Sequence, residues 1–239
     1  MIKRIVRSAL RRLGLDLRLY RPEFSDDARL MAMLSAHRVN LVLDVGANTG
    51  QFGELLRSAG YRGRIVSFEP LSAAREQLAV QSGNDPLWQV APQMAIGAED
   101  GDILIHIAGN SVSSSVLPML NAHAIAAPES VYVGSERVPL RRLDAVADGY
   151  LSPDTVVFLK IDAQGYEDRV LRGAADLLQR AVGMQLEMSL VPLYEGQRLY
   201  VEMDAQLRAS GFELWSITPA FVEPGNGRML QVDATYFRA

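Results

Sequence analysis

Residues 41–56, LVLDVGANTGQFGELL, constrain this chain more than any other stretch. A short apolar run carries one acid, Asp44. It gives way to a turn bounded by Gly46 and Gly50, and a helical pattern follows. A run this short and this apolar suits a strand buried on both faces, as strands of a parallel sheet are. Parallel strands cannot be joined by tight hairpins, so helices have to carry the chain back between them.

The same rhythm recurs downstream. RIVSFE (64–69) reads as a second strand, followed by a helix over 71–83 that Gly83 closes. WQVAPQMAIG (88–97) reads as a third strand, and DILIHIAG (102–109) follows the Glu99-Asp100-Gly101 turn. Residues 109–130, rich in Ser, Asn, Ala and Pro, read as a long loop. TVVFLKID (155–162) is a buried strand, 166–181 its helix, GMQLEMS (183–189) the next strand and 200–211 the next helix. FELWSIT and MLQVDATYFRA close the chain as an antiparallel pair. The expectation is an α/β fold whose mostly parallel sheet has helices on both faces. Ligands of such sheets sit beyond the carboxyl ends of the strands, where strand order reverses. That singles out Asp44, Glu69, Ala95, Asp162 and Glu187.

The glycine turn says what kind of ligand to expect. A dinucleotide site uses Gly-x-Gly-x-x-Gly to bring backbone N–H groups against a pyrophosphate. Here Asn48 stands at the second glycine, and Asp44 sits two residues before the first. A carboxylate beside a pyrophosphate is repulsive, whereas beside an ammonium or a sulfonium it attracts. Glu69 ends the next strand, where an acid can accept from both hydroxyls of a ribose. The two acids with the turn between them fit a nucleoside with a cationic tail, which describes S-adenosylmethionine. As single residues, each acid could equally cap a turn.

Composition narrows the surroundings. The chain has 239 residues and no cysteine, so disulfides and thiolate metal sites are ruled out. Residues 1–22 carry seven basic side chains against Asp16, a net of +6, leaving −10 for the rest of a chain whose total is −4. That balance gives no reason to expect nucleic-acid binding. No apolar run approaches the length of a bilayer span, so a cytoplasmic protein is expected. We divide the chain into an N-terminal helical segment, residues 1–38, packed on a domain of residues 39–239. The basic segment reads either as a surface helix or as an amphipathic helix on anionic lipid, near a lipid-linked substrate.

The motifs LDVGANTGQFG, SFEP, MAIGAEDG, NSVSSSVLP, RRLD, FLKIDAQGYEDRVLRGA and LEMSLVPLYEGQ, in this order over residues 40–200, resemble the FkbM-type methyltransferases. The resemblance implies a Rossmann-like class I methyltransferase fold with a seven-stranded sheet. It also implies S-adenosylmethionine as cofactor and methyl transfer to an oxygen of a sugar, glycolipid or complex secondary metabolite. By the same resemblance Asp44, Gly46, Asn48 and Gly50 would surround the methionine part and Glu69 the ribose. Met94, Ala95 and Ile96 would border the adenine. The Asn110 to Ser115 loop would lie over the acceptor side.

Asp162 is the first candidate for the base that takes the hydroxyl proton, with Glu187 expected beside it across the cleft. The two acids could instead hold a divalent cation, or serve structure alone. His123, in the predicted loop, is the third catalytic candidate, with an exposed loop histidine as the plain alternative. Lys160 is expected to pair with a neighbouring acid. Two other functions stay open at this point: a nucleoside-binding protein without turnover, and a nicotinamide-dependent oxidoreductase, against which the missing glycine speaks.

Overall fold

The computed structural model describes residues 10–238. Residues 10–12 are helical, a turn follows at Leu13 and Gly14, and the chain then runs without regular structure to Ser25. The amphipathic helix expected from residue 2 onward lies in part outside the described residues. In the described part the side chains do not pack as a surface helix would. Leu13, Leu15, Leu17, Leu19, Tyr20 and Phe24 are each more than half exposed. Among the described residues, packing begins at α1 (Asp26–Ala36). Ser25 caps it by accepting from the Ala28 N–H at 3.3 Å, and Leu30, Met33 and Leu34 are buried beneath it.

Seven strands form the main sheet: β1 (Leu41–Val45), β2 (Arg64–Phe68), β3 (Trp88–Val90), β7 (Val157–Ile161), β8 (Ala181–Ser189), β9 (Phe212–Val222) and β10 (Met229–Arg238). Their order is β3-β2-β1-β7-β8-β10-β9. Only β10 runs against its neighbours. The order reverses between β1 and β7, and the glycine turn emerges at that point. Both faces are covered. Leu41, Leu43 and Val45 face one apolar cluster with Leu159, Ile161 and Leu186. Val42 and Phe158 face the other, with α1 and α2 (Gln51–Ser58) over them. The strands are buried without alternation because both sides are core. The expected seven-stranded, doubly covered α/β fold is the fold observed.

Four local expectations need correction. The run 88–97 is two strands in different sheets, β3 and then β4 (Ala95–Ile96). Hydrogen bonding assigns β4 to a separate three-stranded sheet, β4-β6-β5. Its β5 is Gly101–Ala108, and its β6, Tyr132–Arg141, was not read as a strand from sequence. Arg, Glu, Ser and Pro dilute its apolar pattern because one face is solvated. The long loop contains a helix, α4 (Asn121–Ala126); α3 is Ser72–Ser82, and α5 is Leu143–Ala147. The helix over 166–181 breaks at Gly173 into α6 (Glu167–Arg172) and α7 (Ala175–Arg180), and α8 is Tyr200–Ala209.

Candidate active site

Two cavities meet at the reversal point and share Gly46 and Asn48. The first runs over the end of β2. Glu69, Ala95, Ile96 and Tyr166 line it, and Ser111, Ser114 and Ser115 of the β5–β6 connection cover it. The second opens on the α2 side of the sheet and is lined by Asp44, Lys160, Asp162 and Asp233.

Parallel register explains the second set. Asp44 pairs with Ser67 on one side and with Lys160 on the other, so the three side chains share a face. Ser67 Oγ donates to Asp44 Oδ2 at 3.0 Å and accepts from the Trp88 indole N–H at 3.0 Å. Burial pushes the Asp44 carboxyl up to about 6, against Lys160 and the Ser67 hydroxyl, which pull it down. Lys160 donates to Asp233 Oδ1 at 2.9 Å and stands 3.5 Å from Asp162 Oδ2. Burial alone would lower the Lys160 ammonium, but Asp233, Asp162 and Glu187 outweigh it and hold it above its ordinary value. The expected Lys160 ion pair is present. Three lining carboxylates against one ammonium leave this cavity suited to a cationic group.

Glu69 is buried between the cavity and the turn. Its Oε2 accepts from the Asn48 N–H and its Oε1 from the Leu71 N–H, both at 2.8 Å. Burial pushes it up to about 7, with those two N–H groups pulling the other way. Asn48 adopts the left-handed conformation, φ 47°, which turns its N–H toward Glu69. The two glycines serve the fold more directly than expected. Gly46 has φ 82°, and a Cβ there would stand 1.8 Å from the Asp162 carbonyl oxygen. Gly50, at φ 103°, faces the Leu78 and Trp88 side chains and lines neither cavity.

Asp162 and Glu187 lie on one network. The Gln164 amide Nε2 donates to Asp162 Oδ1 at 2.9 Å and to Glu187 Oε2 at 2.6 Å. Gln231 also donates to Glu187 Oε2, at 2.8 Å. Burial first, then Asp162, raises the Glu187 carboxyl well above its ordinary value. The place between the two acids belongs to the Gln164 amide. Among the described residues no three His, Cys, Asp or Glu side chains are grouped as a metal ion would need. The divalent-cation expectation is therefore not carried further.

His123 is not an exposed loop residue. It is buried on α4, edge-on to the Tyr194 ring at 5.1 Å and beside Phe221 at 5.1 Å, and lines neither cavity. Burial lowers its pKa, and its Nδ1 has no hydrogen-bond partner among the described residues. The serine loop, expected over the acceptor side, lies mainly over the first cavity; its Val112 reaches the second. Sequence reasoning missed Ser67, Asp233, Gln231, Gln164 and Tyr166. The first three face the site through strand register. Only Gln164 and Tyr166 carried a signal, as neighbours of Asp162 in the strand-end turn.

Residues 44–214 match a family model described as the methyltransferase FkbM domain. The chain belongs to this family. A curated relative, the AMB antimetabolite synthetase AmbE of Pseudomonas aeruginosa, is 29% identical over 168 residues. That match takes in 57% of this FkbM-domain chain but 8% of AmbE. Two solved structures are similar in outline. A SAM-dependent methyltransferase from Aquifex aeolicus is 10% identical, with 90% of each chain covered and a TM-score of 0.46. Magnesium protoporphyrin IX methyltransferase (ChlM) from Synechocystis PCC 6803, with bound SAM, is 11% identical. It covers 99% of this chain and 97% of its own, also at a TM-score of 0.46. The fold itself is read from the strand order of this FkbM-domain chain. Among its described residues no helix is long and apolar enough to cross a membrane.

Proposed function

We propose that the protein transfers a methyl group from S-adenosylmethionine to a hydroxyl of a sugar, glycolipid or complex secondary metabolite. One observation carries the reading. An apolar cavity ending in the Glu69 carboxylate joins, at Gly46 and Asn48, a cavity whose acids outnumber its one ammonium. The first fits an adenosine, with Ala95 and Ile96 beside the base and Glu69 accepting from the ribose. The second fits the amine and sulfonium of the other end, with Asp44 closest to the turn. The likeness to an antimetabolite synthetase favours a small biosynthetic acceptor.

The cofactor supplies an electrophilic methyl group on a sulfonium. The protein aligns the partners and removes water from between them. With the cofactor held by Asp44 and Glu69, an acceptor hydroxyl would attack that methyl carbon and the carbon–sulfur electron pair would return to sulfur. The hydroxyl proton goes to Asp162, which lines the second cavity and whose Oδ2 stands 3.5 Å from Lys160. Glu187 stands behind Asp162 through Gln164. His123, screened by Tyr194, takes no part in this scheme.

The exposed apolar side chains of residues 13–24 and the basic charge of residues 1–22 favour an acceptor met at an anionic lipid surface. Calorimetry with S-adenosylhomocysteine and, separately, NAD tests the cofactor. Binding of NAD alone would overturn the proposal. Incubation of a cell extract with isotopically labelled cofactor tests turnover. A cofactor that binds without any labelled product would leave a nucleoside-binding protein.

A further inference from the structure

The strand-end turn that carries Asp162 holds a side chain in a costly position. Gln164 has φ 49°, a left-handed conformation that costs a residue with a Cβ about 1 kcal/mol or more. Two side chains fix it there through three hydrogen bonds. Glu167 Oε1 accepts from the N–H of Ala163 at 3.0 Å and of Gly165 at 3.1 Å, on either side of it. Ser115 Oγ donates to the Gln164 carbonyl at 2.7 Å. The strain has a visible result: the amide points between two carboxylates.

The amide has one orientation that satisfies its surroundings. The Tyr194 hydroxyl, buried, donates to Gln164 Oε1 at 2.6 Å. That leaves Nε2, the donor end, facing Asp162 Oδ1 and Glu187 Oε2. Tyr194 is placed in turn by its own loop, where its N–H donates to Gln197 Oε1 at 2.6 Å. A plain packing role would not need a donor held at 2.6 Å and 2.9 Å from two acids at once.

We propose that Gln164 is the positioning residue of the reacting centre, tying Asp162 to Glu187 through one amide that Tyr194 holds in orientation. This rests on the reading of Asp162 as the proton acceptor. Oδ1 of Asp162 is taken by the amide, so the proton from the acceptor hydroxyl goes to Oδ2. On Glu187 the amide and Gln231 both donate to Oε2, so a proton held by Glu187 sits on Oε1. The charged groups that face the pair are Lys160 from β7, Asp233 from β10 and Glu167 from α6. Of these only Lys160 favours the ionised form of Glu187, so the amide is a principal neutral support for it.

The test is a carboxyl-carbon NMR titration of Glu187 in the full chain, in Gln164→Met and in the milder Tyr194→Phe. Removing a hydrogen bond to a carboxylate should move the Glu187 midpoint upward by about one pH unit in Gln164→Met. Tyr194→Phe should move it the same way by less. The pH profile of labelled-methyl incorporation should shift to the alkaline side with it. Affinity for S-adenosylhomocysteine should hold within about threefold, since neither residue lines the nucleoside cavity. Unmoved midpoints and an unmoved profile in both variants would overturn the proposal, even if activity fell. Should Gln164→Met fail to fold, Tyr194→Phe decides alone. Should wild type incorporate no label, the methyl-transfer reading fails, while the titration still decides whether the tie exists.

Discussion

Replacing Glu69 with glutamine separates the cofactor site from the stability of the fold. The wild-type carboxylate gives one oxygen to each of two backbone N–H groups at 2.8 Å. Glutamine keeps one acceptor, so one N–H is left facing an NH2 group, at a cost of about 1–3 kcal/mol. Against that, the folded chain pushes the Glu69 pKa from 4.5 up to about 7. Ionising it in place therefore costs about 3 kcal/mol at pH 8, and glutamine removes that cost. The two effects offset, so the melting temperature should stay within about 4 °C of wild type. Binding should not be so forgiving. The variant loses one charge-assisted bond to the ribose, about 1.5–3 kcal/mol, so affinity for S-adenosylhomocysteine should fall roughly 10- to 150-fold. The pH dependence has opposite signs for folding and for binding. Between 4.5 and about 7 the folded chain holds more protons on Glu69 than the unfolded chain, so stability from this group falls as pH rises. The ligand prefers the ionised carboxylate, so wild-type affinity should rise through pH 7 and level above it. Calorimetry from about pH 6.5 to 8.5 stays above most of the Asp44 titration, and there the variant should be flat. A variant that binds within about threefold of wild type, or keeps its slope, refutes the ribose assignment.

Gly46→Ala should destabilise the protein by about 3–5 kcal/mol in urea denaturation, because β1 and β7 have to part around the new methyl group. Gly50→Ala, where flexible side chains yield, should cost about 1 kcal/mol, and equal losses would contradict the packing account. Asp162→Asn should cut labelled-methyl incorporation by about 10²–10⁴-fold while S-adenosylhomocysteine still binds, and unchanged incorporation would remove Asp162 from the chemistry. The full chain should co-sediment with anionic vesicles but not with neutral ones, and substituting Ser at Leu15, Leu17 and Leu19 together should weaken it. Equal pelleting with both vesicle types would count against a charged lipid surface.

The fold was legible where burial is two-sided. LVLDV and VVFLKI have no polar face to blur them, and the acids at their ends stand out for that reason. Gly46, Asn48, Glu69, Ala95 and Ile96 do meet around one cavity, as strand-end positions should. Half-buried elements were harder. In β6, residues 133–135 and Arg137 are exposed and only Val138 and Leu140 are buried, so the strand has no apolar run long enough to read. Asp233 was hidden for another reason. It reaches Lys160 from a strand that is remote in sequence, through an antiparallel partner, and only register reveals such a neighbour. His123 misled because a polar residue in a Ser- and Ala-rich stretch reads as exposed, whereas α4 packs its ring under Tyr194.

Floor and roof of the cleft come from different sheets. Strand ends of the seven-stranded sheet carry the acids, while the serines above them hang from the turn between β5 and β6. Ties between the two include Ser111 to Asn48 at 3.4 Å, Ser115 to the Gln164 carbonyl, and the Tyr194 hydroxyl to the Ser113 carbonyl. Remodelling that connection away from Ser113 and Ser115, even by insertion, would leave the strand registers that set the carboxylates undisturbed. Ligand preference in this scaffold can thus drift at the ceiling while the machinery below keeps its geometry.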